Sequence, residues 1–306
     1  MGKVSIVGAG FVGSTAAYAL LLRGVATEIT LIDSHGEKAE GEAMDLGHGL
    51  QFATGSRIDF CKSVEECGKA DVVVVTAGAA QKPGETRLDL ARGNANLFAD
   101  MIPKIAAAAP DAVLLIVANP VDVMTMIAIE RSGFPVSRVV GSGTSLDTAR
   151  FRYMLGKHFD VSPTSVHAHI IGEHGDSEFP VWSGADIGGV PLDKLPDYSK
   201  PEMERIFARV RDAAYEIISR KGATYYAIGL VIAQLCSSIL KNKNEVYPLS
   251  VKIDDYYGES DVCFSVPAAL GAGGVSRVLL PELDEREQGW LHNTASTLRG
   301  IRRDIG

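Results

Sequence analysis

The sequence predicts a doubly wound α/β fold, in which helices cover both faces of a parallel β-sheet. In the first half of the chain, short runs rich in β-branched residues alternate with segments of helical periodicity, which is the order of elements in such a sheet. The runs are apolar at nearly every position, as expected of strands that are buried on both faces. A glycine-rich turn between the first run and the first helix is the third indication.

The elements of the first half follow in order along the chain. The predicted strands cover residues 4–7, 29–32, 72–75, 113–117 and 139–140, and the predicted helices cover residues 12–22, 38–50, 94–109 and 121–131. Because the strands are parallel and their connections are right-handed, the carboxyl ends of all the strands lie at the same edge of the sheet. We therefore expect a binding crevice at the carboxyl ends of these strands.

The turn after the first strand, residues 8–13 (GAGFVG), has the spacing of a dinucleotide-binding turn. Gly8 permits the tight turn, Gly10 lets a pyrophosphate approach the backbone, and Gly13 lets helix and strand pack closely. The free N–H groups at the helix N-terminus favour phosphate binding. Asp33, at the end of the second strand, would accept the ribose hydroxyls and repel a 2′-phosphate, which favours NAD over NADP. A glycine-rich helix cap is the simpler alternative.

Residues 1–141 are therefore predicted to form a Rossmann-type domain that binds NAD. Its candidate cofactor-binding residues lie near the carboxyl ends of the predicted strands: Gly8, Gly10, Phe11, Val12, Gly13, Asp33, Thr76, Ala77, Gly78 and Asn119.

The pattern changes after Gly141, and residues 142–306 are predicted to form a mixed α+β domain that holds the substrate. A helix over 145–155 precedes a strand over 165–171 and a charged, glycine-rich loop over 172–176. Two helices, two antiparallel strands and a polar C-terminal helix follow, over 201–219, 223–240, 246–253, 262–266 and from about 284. No low-complexity linker separates the halves, so we expect a packed junction.

The composition excludes several classes of function. Of the 306 residues, 46% are apolar and 22% charged, which suits folded domains with a sizeable core. The 38 acidic and 30 basic residues give a net charge of −8, which disfavours nucleic acid and anionic membranes as partners. The 4 cysteines lack metal-ligand spacing and suit free thiols in a reducing compartment. We therefore expect a soluble, cytoplasmic protein without a metal site or a membrane span.

The segment 78–87 is a candidate lid over the crevice. It follows the third predicted strand, and its glycines permit movement while its polar residues would make a poor core. Closure would bring Arg87 to a reacting carbonyl group. A solvated surface loop is the equally simple alternative.

Two further segments carry groups that suit a small anionic substrate. Asp147 and Arg150 share a face of the helix over 145–155, since they lie one turn apart. An ion pair within the helix is the simplest interpretation; otherwise Arg150 binds a carboxylate while Asp147 faces a histidine. His174, in the glycine-rich loop, would exchange a proton near neutral pH if an aspartate supported it, although a lone histidine is usually structural.

At these segments the sequence resembles the L-lactate/malate dehydrogenase family, and its lactate branch most closely. The matching segments keep the family's order along nearly the whole chain and cover residues 8–13, 81–87, 117–120, 141–152, 171–176 and 221–225. The resemblance implies that His174 is the acid/base and that Asp147 orients it. It also implies that Arg150 binds the substrate carboxylate and that Arg87 polarises the carbonyl.

The resemblance also bears on the choice of substrate. It implies that Asn119 hydrogen-bonds near the nicotinamide and that Thr224 lines a methyl pocket. Malate enzymes place an arginine at the lid position that Gln81 occupies here, and a neutral Gln81 cannot pair with a second carboxylate. Pyruvate and lactate are therefore the expected substrates, with malate dehydrogenase, a larger 2-oxo acid, and a non-catalytic NAD(H)-binding protein as alternatives.

Two other residues suggest regulation. Helix geometry turns Arg152 about 200° away from Arg150, off the substrate face, and His167 lies near the start of the predicted strand 165–171. A surface ion pair and a solvated ring are their simplest roles. The resemblance to bacterial lactate dehydrogenases implies instead an anion site at a subunit interface that binds fructose 1,6-bisphosphate. On that basis we expect a homotetramer that responds to this ligand.

Overall fold

The computed structural model describes residues 2–53, 55–66, 68–79 and 87–305, and of Arg87 the backbone. Within these ranges, one large sheet forms the centre of the molecule, with strand order β14-β13-β12-β6-β5-β4-β1-β2-β3. Its bounds are β1 Lys3–Val7, β2 Glu28–Ile32, β3 Arg57–Cys61, β4 Val72–Val75, β5 Val113–Ile116, β6 Val139–Gly141, β12 Glu245–Ile253, β13 Val262–Gly271 and β14 Gly274–Val278.

The first six strands are parallel and follow the order of a dinucleotide-binding sheet, with β2 and β3 on one side of β1 and β4 to β6 on the other. β1, β4 and β5 are buried almost throughout, because helices cover both faces. The antiparallel strands β12 to β14 extend the same sheet, with β12 meeting β6 where Ser250 pairs with Gly141. The predicted doubly wound α/β fold is confirmed.

The helices around this sheet also pack against one another. α1 packs against α7 and α3 packs against α4, while α8 contacts both α3 and α4. The helices are α1 Phe11–Leu22, α2 Gly36–His48, α3 Arg87–Ala108, α4 Val121–Ser132, α5 Ser145–His158, α6 Lys200–Lys221, α7 Tyr226–Leu240 and α8 Glu285–Ile305. None of the helices in the described ranges is long and apolar enough to cross a membrane.

A second, smaller core lies between α5, α6 and a few short strands. Phe151 and Leu155 of α5 pack there with Ile206 and Val210 of α6, all fully buried. The short strands are β7 Val166–His167, β8 Ile170–Ile171, β9 Phe179–Pro180, β10 Asp186–Ile187 and β11 Val190–Pro191. β10 lies between β7 and β11, and β8 pairs with β9, so the loop 172–178 joins two paired strands.

Three predictions of secondary structure need correction, and two strands of the large sheet were not predicted. The single strand over 165–171 is wrong, because β7 and β8 belong to different sheets. Strands β3 and β14 were not predicted; both lie at edges of the large sheet, where partly exposed strands lack a continuous apolar pattern. α3 begins at Arg87 rather than at 94, and α7 begins at Tyr226 rather than at 223, so Thr224 precedes its helix.

Candidate active site

The turn over residues 8–13 joins β1 to α1 and needs glycine at two positions. Gly8 has a φ of +104°, and a Cβ there would lie 2.7 Å from the backbone nitrogen of Ala77. A Cβ at Gly13 would lie 1.9 Å from the carbonyl oxygen of Gly8. Around Gly10, in contrast, a Cβ would meet no atom within 4 Å, so space is open for a ligand to approach the backbone.

Asp33 is anchored to this turn at the end of β2. Its Oδ2 accepts a hydrogen bond from the backbone N–H of Ala9 at 2.8 Å, and its Oδ1 accepts one from the N–H of His35 at 2.9 Å. Each carboxylate oxygen has a further lone pair, so both remain able to accept hydroxyl groups.

A cavity of about 520 Å³ opens at the carboxyl ends of β1, β2 and β4. Thr76 fixes one wall, because its hydroxyl donates to the carbonyl oxygens of Val7 and Gly8 at 3.1 and 2.9 Å. The predicted cofactor-binding residues that line the cavity are Gly8, Gly10, Asp33, Thr76, Ala77 and Gly78. This position is the crevice that the strand order predicts.

Asn94 is a structural residue of the crevice that the sequence analysis missed. Its buried side chain accepts the N–H of Ala79 at 2.8 Å and donates to the carbonyl oxygen of Asn119 at 2.8 Å. It thereby ties the segment after β4 to the segment after β5, where the exposed Asn119 lies. Only the tertiary contact reveals this role, since an asparagine in a helix has many uses.

The segment between α6 and α7 reaches the cofactor turn. The Tyr225 ring stacks on the ring of Phe11, with centroids 5.2 Å apart, although 68% of Phe11 is exposed. The neighbouring Thr224 is half-buried. The residues predicted for the methyl pocket and for the dinucleotide turn therefore lie in adjacent segments.

The predicted substrate-binding residues gather around the buried carboxylate of Asp147, near the start of α5. Its Oδ2 accepts a hydrogen bond from Nδ1 of His174 at 2.6 Å, and its Oδ1 accepts one from Nη1 of Arg150 at 2.8 Å. The Asp147 side chain is 4% exposed, whereas His174 retains 28%. The structure thus contains both the ion pair and the Asp–His contact that the sequence left as alternatives.

The electrostatic surroundings keep this histidine charged. Burial alone would lower the pKa of His174, but the facing Asp147 carboxylate outweighs it and raises the pKa to about 9. Burial would raise the pKa of Asp147, yet the His174 and Arg150 cations hold it below its ordinary value. At neutral pH the pair is therefore an imidazolium beside a carboxylate. The ring nitrogen Nε2 is the one that can exchange a proton with a bound molecule.

A second buried carboxylate positions the histidine from α4. Oδ2 of Asp122 accepts the backbone N–H of His174 at 2.8 Å. Burial raises the pKa of Asp122 to about 6, although the hydrogen bond from His174 opposes the rise. This residue was not predicted from the sequence, where the one indication of its role is an aspartate between two valines at the start of a buried helix.

Arg152 of α5 contacts the segment that follows His167 of β7, and the two residues have separate partners. Nε of the half-buried Arg152 donates to the carbonyl oxygen of Ala168 at 2.9 Å. The exposed His167 pairs through Nδ1 with Oδ1 of Asp186 at 3.0 Å. Arg150 and Arg152 point to opposite sides of α5, as helix geometry predicts. Gln81 and the side chain of Arg87 lie outside the described residues.

Two family models match the chain. The lactate/malate dehydrogenase NAD binding domain matches residues 2–141, and the lactate/malate dehydrogenase alpha/beta C-terminal domain matches residues 144–304. The chain is 49% identical over 303 residues to an L-lactate dehydrogenase of Geobacillus thermodenitrificans, covering 98% of this chain and 96% of that protein. It is 46% identical over 303 residues to L-lactate dehydrogenase 2 of Peribacillus psychrosaccharolyticus, with 98% and 95% covered.

Solved structures show the same similarity. A lactate dehydrogenase from a Medee basin deep-sea metagenome superposes with a TM-score of 0.96 at 43% identity, covering 99% of this chain and 98% of the other. The minor L-lactate dehydrogenase of Enterococcus mundtii, in a ligand-bound form, gives a TM-score of 0.96 at 40% identity with the same coverage.

Proposed function

The chain belongs to the lactate/malate dehydrogenase family, and on this premise we propose that it is an L-lactate dehydrogenase that interconverts pyruvate and L-lactate. It is an NAD-dependent oxidoreductase. The observation that carries the proposal is the buried Asp147 carboxylate, which holds an imidazolium and a guanidinium beside one another. A proton donor and a carboxylate-binding group are the two groups that a 2-oxo acid reductase requires.

The cofactor crevice fits a dinucleotide. Gly10 leaves open space at the turn, and the Gly8 backbone adopts a conformation that other residues rarely take. The Asp33 carboxylate lies in the wall of the cavity, where it would accept ribose hydroxyls and repel a 2′-phosphate. NADH, when bound, supplies the hydride.

The protein's own residues handle the proton and the charge. In pyruvate reduction, His174 donates a proton from Nε2 to the carbonyl oxygen, while its Nδ1–H stays bonded to Asp147. In lactate oxidation, the neutral ring takes the hydroxyl proton. Arg150 has N–H groups besides the one that Asp147 accepts, and these bind the substrate carboxylate. Arg87 would stabilise charge that develops on the carbonyl oxygen.

Three residues would shape the rest of the pocket. Asn119 hydrogen-bonds near the nicotinamide and the substrate, and Thr224 lines the methyl end. Gln81 selects against a second substrate carboxylate, because burying that charge without a cation is costly. We propose residues 1–141 as the NAD-binding domain and 142–306 as the catalytic domain, with the large sheet continuing through both.

A substrate panel tests the proposal. NADH oxidation is followed with pyruvate, oxaloacetate and a branched 2-oxo acid, and each reaction is repeated with NADPH. We expect the highest kcat/KM for pyruvate with NADH. A preference for oxaloacetate would make the chain a malate dehydrogenase, and NADH binding without turnover on any acid would make it a non-catalytic binding protein.

We also propose a homotetramer that binds fructose 1,6-bisphosphate through Arg152 and His167 at a subunit interface. Supporting observations are the hydrogen bond from Arg152 to the carbonyl oxygen of Ala168, the residue after His167, and the exposed apolar side chains on α1, α2, α5, α6 and α7: Tyr18, Leu22, Met44, Tyr153, Ile218 and Leu230. The chain would work in the cytoplasm, in glycolysis and lactate fermentation. Light scattering tests the assembly, and pyruvate saturation curves with and without the bisphosphate test the activation. A monomer, or superimposable curves, would contradict the respective claim.

A further inference from the structure

Glu178 is a buried carboxyl group close to the catalytic histidine. It lies in the loop between β8 and β9, and only 6% of the residue is exposed. Within the described part of the chain, its Oε1 atom has no hydrogen-bond partner. A buried carboxylate without a partner is costly, whereas the neutral acid is tolerated much more easily. Glu178 therefore differs from an ordinary buried glutamate, whose charge is compensated by hydrogen bonds.

This carboxyl group belongs to the same cluster as the Asp147–His174 pair. One titratable atom from each of Asp147, His174 and Glu178 lies within 4.8 Å of the others. Both oxygens of Asp147 already accept hydrogen bonds, so the group is an acid–base cluster rather than a set of metal ligands.

Charged groups reach Glu178 from three directions. α5 contributes Asp147 and Arg150, α6 contributes Arg211, and the loop itself contributes His174. His174 in turn faces Asp122 of α4. Burial and the Asp147 charge raise the pKa of Glu178 well above its ordinary range and outweigh the three cations. The cluster therefore combines a carboxyl group that favours its neutral form with the Asp147 carboxylate and the His174 imidazolium.

We propose that Glu178 is a positioning residue for the proton transfer: its buried carboxyl group, within 4.8 Å of the Asp147–His174 pair and without a hydrogen-bond partner for Oε1 among the described residues, is coupled to His174 and helps to set the upper pH limit at which the ring keeps its proton. The proposal rests on the proposed function, because pyruvate reduction requires the charged histidine. When Glu178 releases its proton to solvent, a second negative charge faces the ring. The two groups then titrate as a coupled pair, which extends pyruvate reduction to higher pH.

The variant Glu178→Gln tests this coupling, since the amide keeps the shape and the neutral charge of the acid. We expect the change to act on the pH dependence of kcat/KM for pyruvate, because the amide cannot ionise. A full charge 4.8 Å away changes a neighbouring pKa by about 2.5 at an effective dielectric constant of 20. Because the Glu178→Gln variant removes this charge, we expect the alkaline limb of kcat/KM to move lower by about one pH unit or more.

Glu287→Gln is the matched control. Glu287 is equally buried, but its carboxylate accepts hydrogen bonds from Trp182, Ser183 and Asp284, and it has no place in the catalytic cluster. This variant should lower Tm without moving the alkaline limb. Measuring Tm for both variants separates loss of folding from loss of coupling.

A spectroscopic titration gives a second readout that does not depend on turnover. The 15N resonances of His174 in the NADH complex, identified by their loss in His174→Asn, should titrate about one pH unit lower in Glu178→Gln. Superimposable pH profiles and superimposable titrations of the parent and the folded Glu178→Gln variant would overturn the proposal. A parent enzyme inactive on pyruvate would refute the proposed function while leaving the titration readable.

Discussion

Replacing Asp147 by asparagine should move the pH dependence of pyruvate reduction further than any other single change near His174. The variant keeps the size of the side chain but removes the negative charge between the histidine and Arg150. The pKa of His174 lies at about 9 in the protein against an ordinary value of 6.5. That difference corresponds to about 3 kcal/mol favouring the imidazolium, and Asp147 is its main source.

The size of the effect follows from this difference. Without the carboxylate, the main cause of the raised pKa of His174 is gone and burial opposes the charged ring, so we expect the pKa to return toward its ordinary value of 6.5. At that value about a tenth of the molecules would carry the charged ring at pH 7.5, against nearly all in the parent. We expect kcat/KM for pyruvate at pH 7.5 to fall at least about tenfold from protonation alone. Loss of the correct ring tautomer and of the Arg150 contact should increase the loss.

The assay is the pH profile of kcat/KM for pyruvate at saturating NADH, with Tm measured in parallel. Glu259→Gln is a matched control, because Glu259 also accepts hydrogen bonds from a histidine and an arginine, His292 and Arg299, at 2.6 Å each. It should reduce stability without moving the alkaline limb. An alkaline limb that stays near pH 9 in Asp147→Asn would refute the reasoning, because another group would then hold the proton on His174.

Three further perturbations concern the histidine, the lid position and the cofactor turn. Folding raises the pKa of His174, so its protonation should stabilise the parent fully below about pH 6.5, and this stabilisation should disappear as the pH rises through 9. The free energy of unfolding, measured with denaturant at several pH values, tests this prediction. An equal dependence of this free energy on pH in the parent and in Asp147→Asn would contradict it. Gln81→Arg should shift the kcat/KM ratio from pyruvate toward oxaloacetate by at least about tenfold, and an unchanged ratio would remove Gln81 from substrate selection. Gly13→Ala should weaken NADH binding about tenfold or more in a fluorescence titration, because its Cβ would lie 1.9 Å from the Gly8 carbonyl oxygen; parental affinity would contradict the assigned packing.

The sequence was sufficient for the centre of the fold because each central strand has a recognisable pattern. β1, β4 and β5 are continuous apolar runs, and the glycine spacing after β1 identifies the turn from β1 to α1. The strands at the two edges of the sheet were not predicted, for a physical reason. β3 and β14 are partly exposed and carry alternating or polar residues, so their sequences resemble loops.

The residues of the candidate site likewise divide into those that the sequence predicts and those that only the structure reveals. His174, Asp147 and Arg150 lie in segments with distinctive composition, and the structure brings all three together. Asn94 and Asp122 act through partners distant in sequence, at separations of 25 and 52 residues, which no local pattern reveals.

The most direct test of the account is a stoichiometric analysis of one reaction, pyruvate with NADH. We expect each NADH oxidised to yield one L-lactate, identified by chiral chromatography, and a folded His174→Asn variant to lose most of this turnover together with its pH dependence. NADH oxidation that yields D-lactate or a racemate, or a His174→Asn variant with near-parental rate, would contradict the assignment of His174 as the proton donor in an L-lactate dehydrogenase.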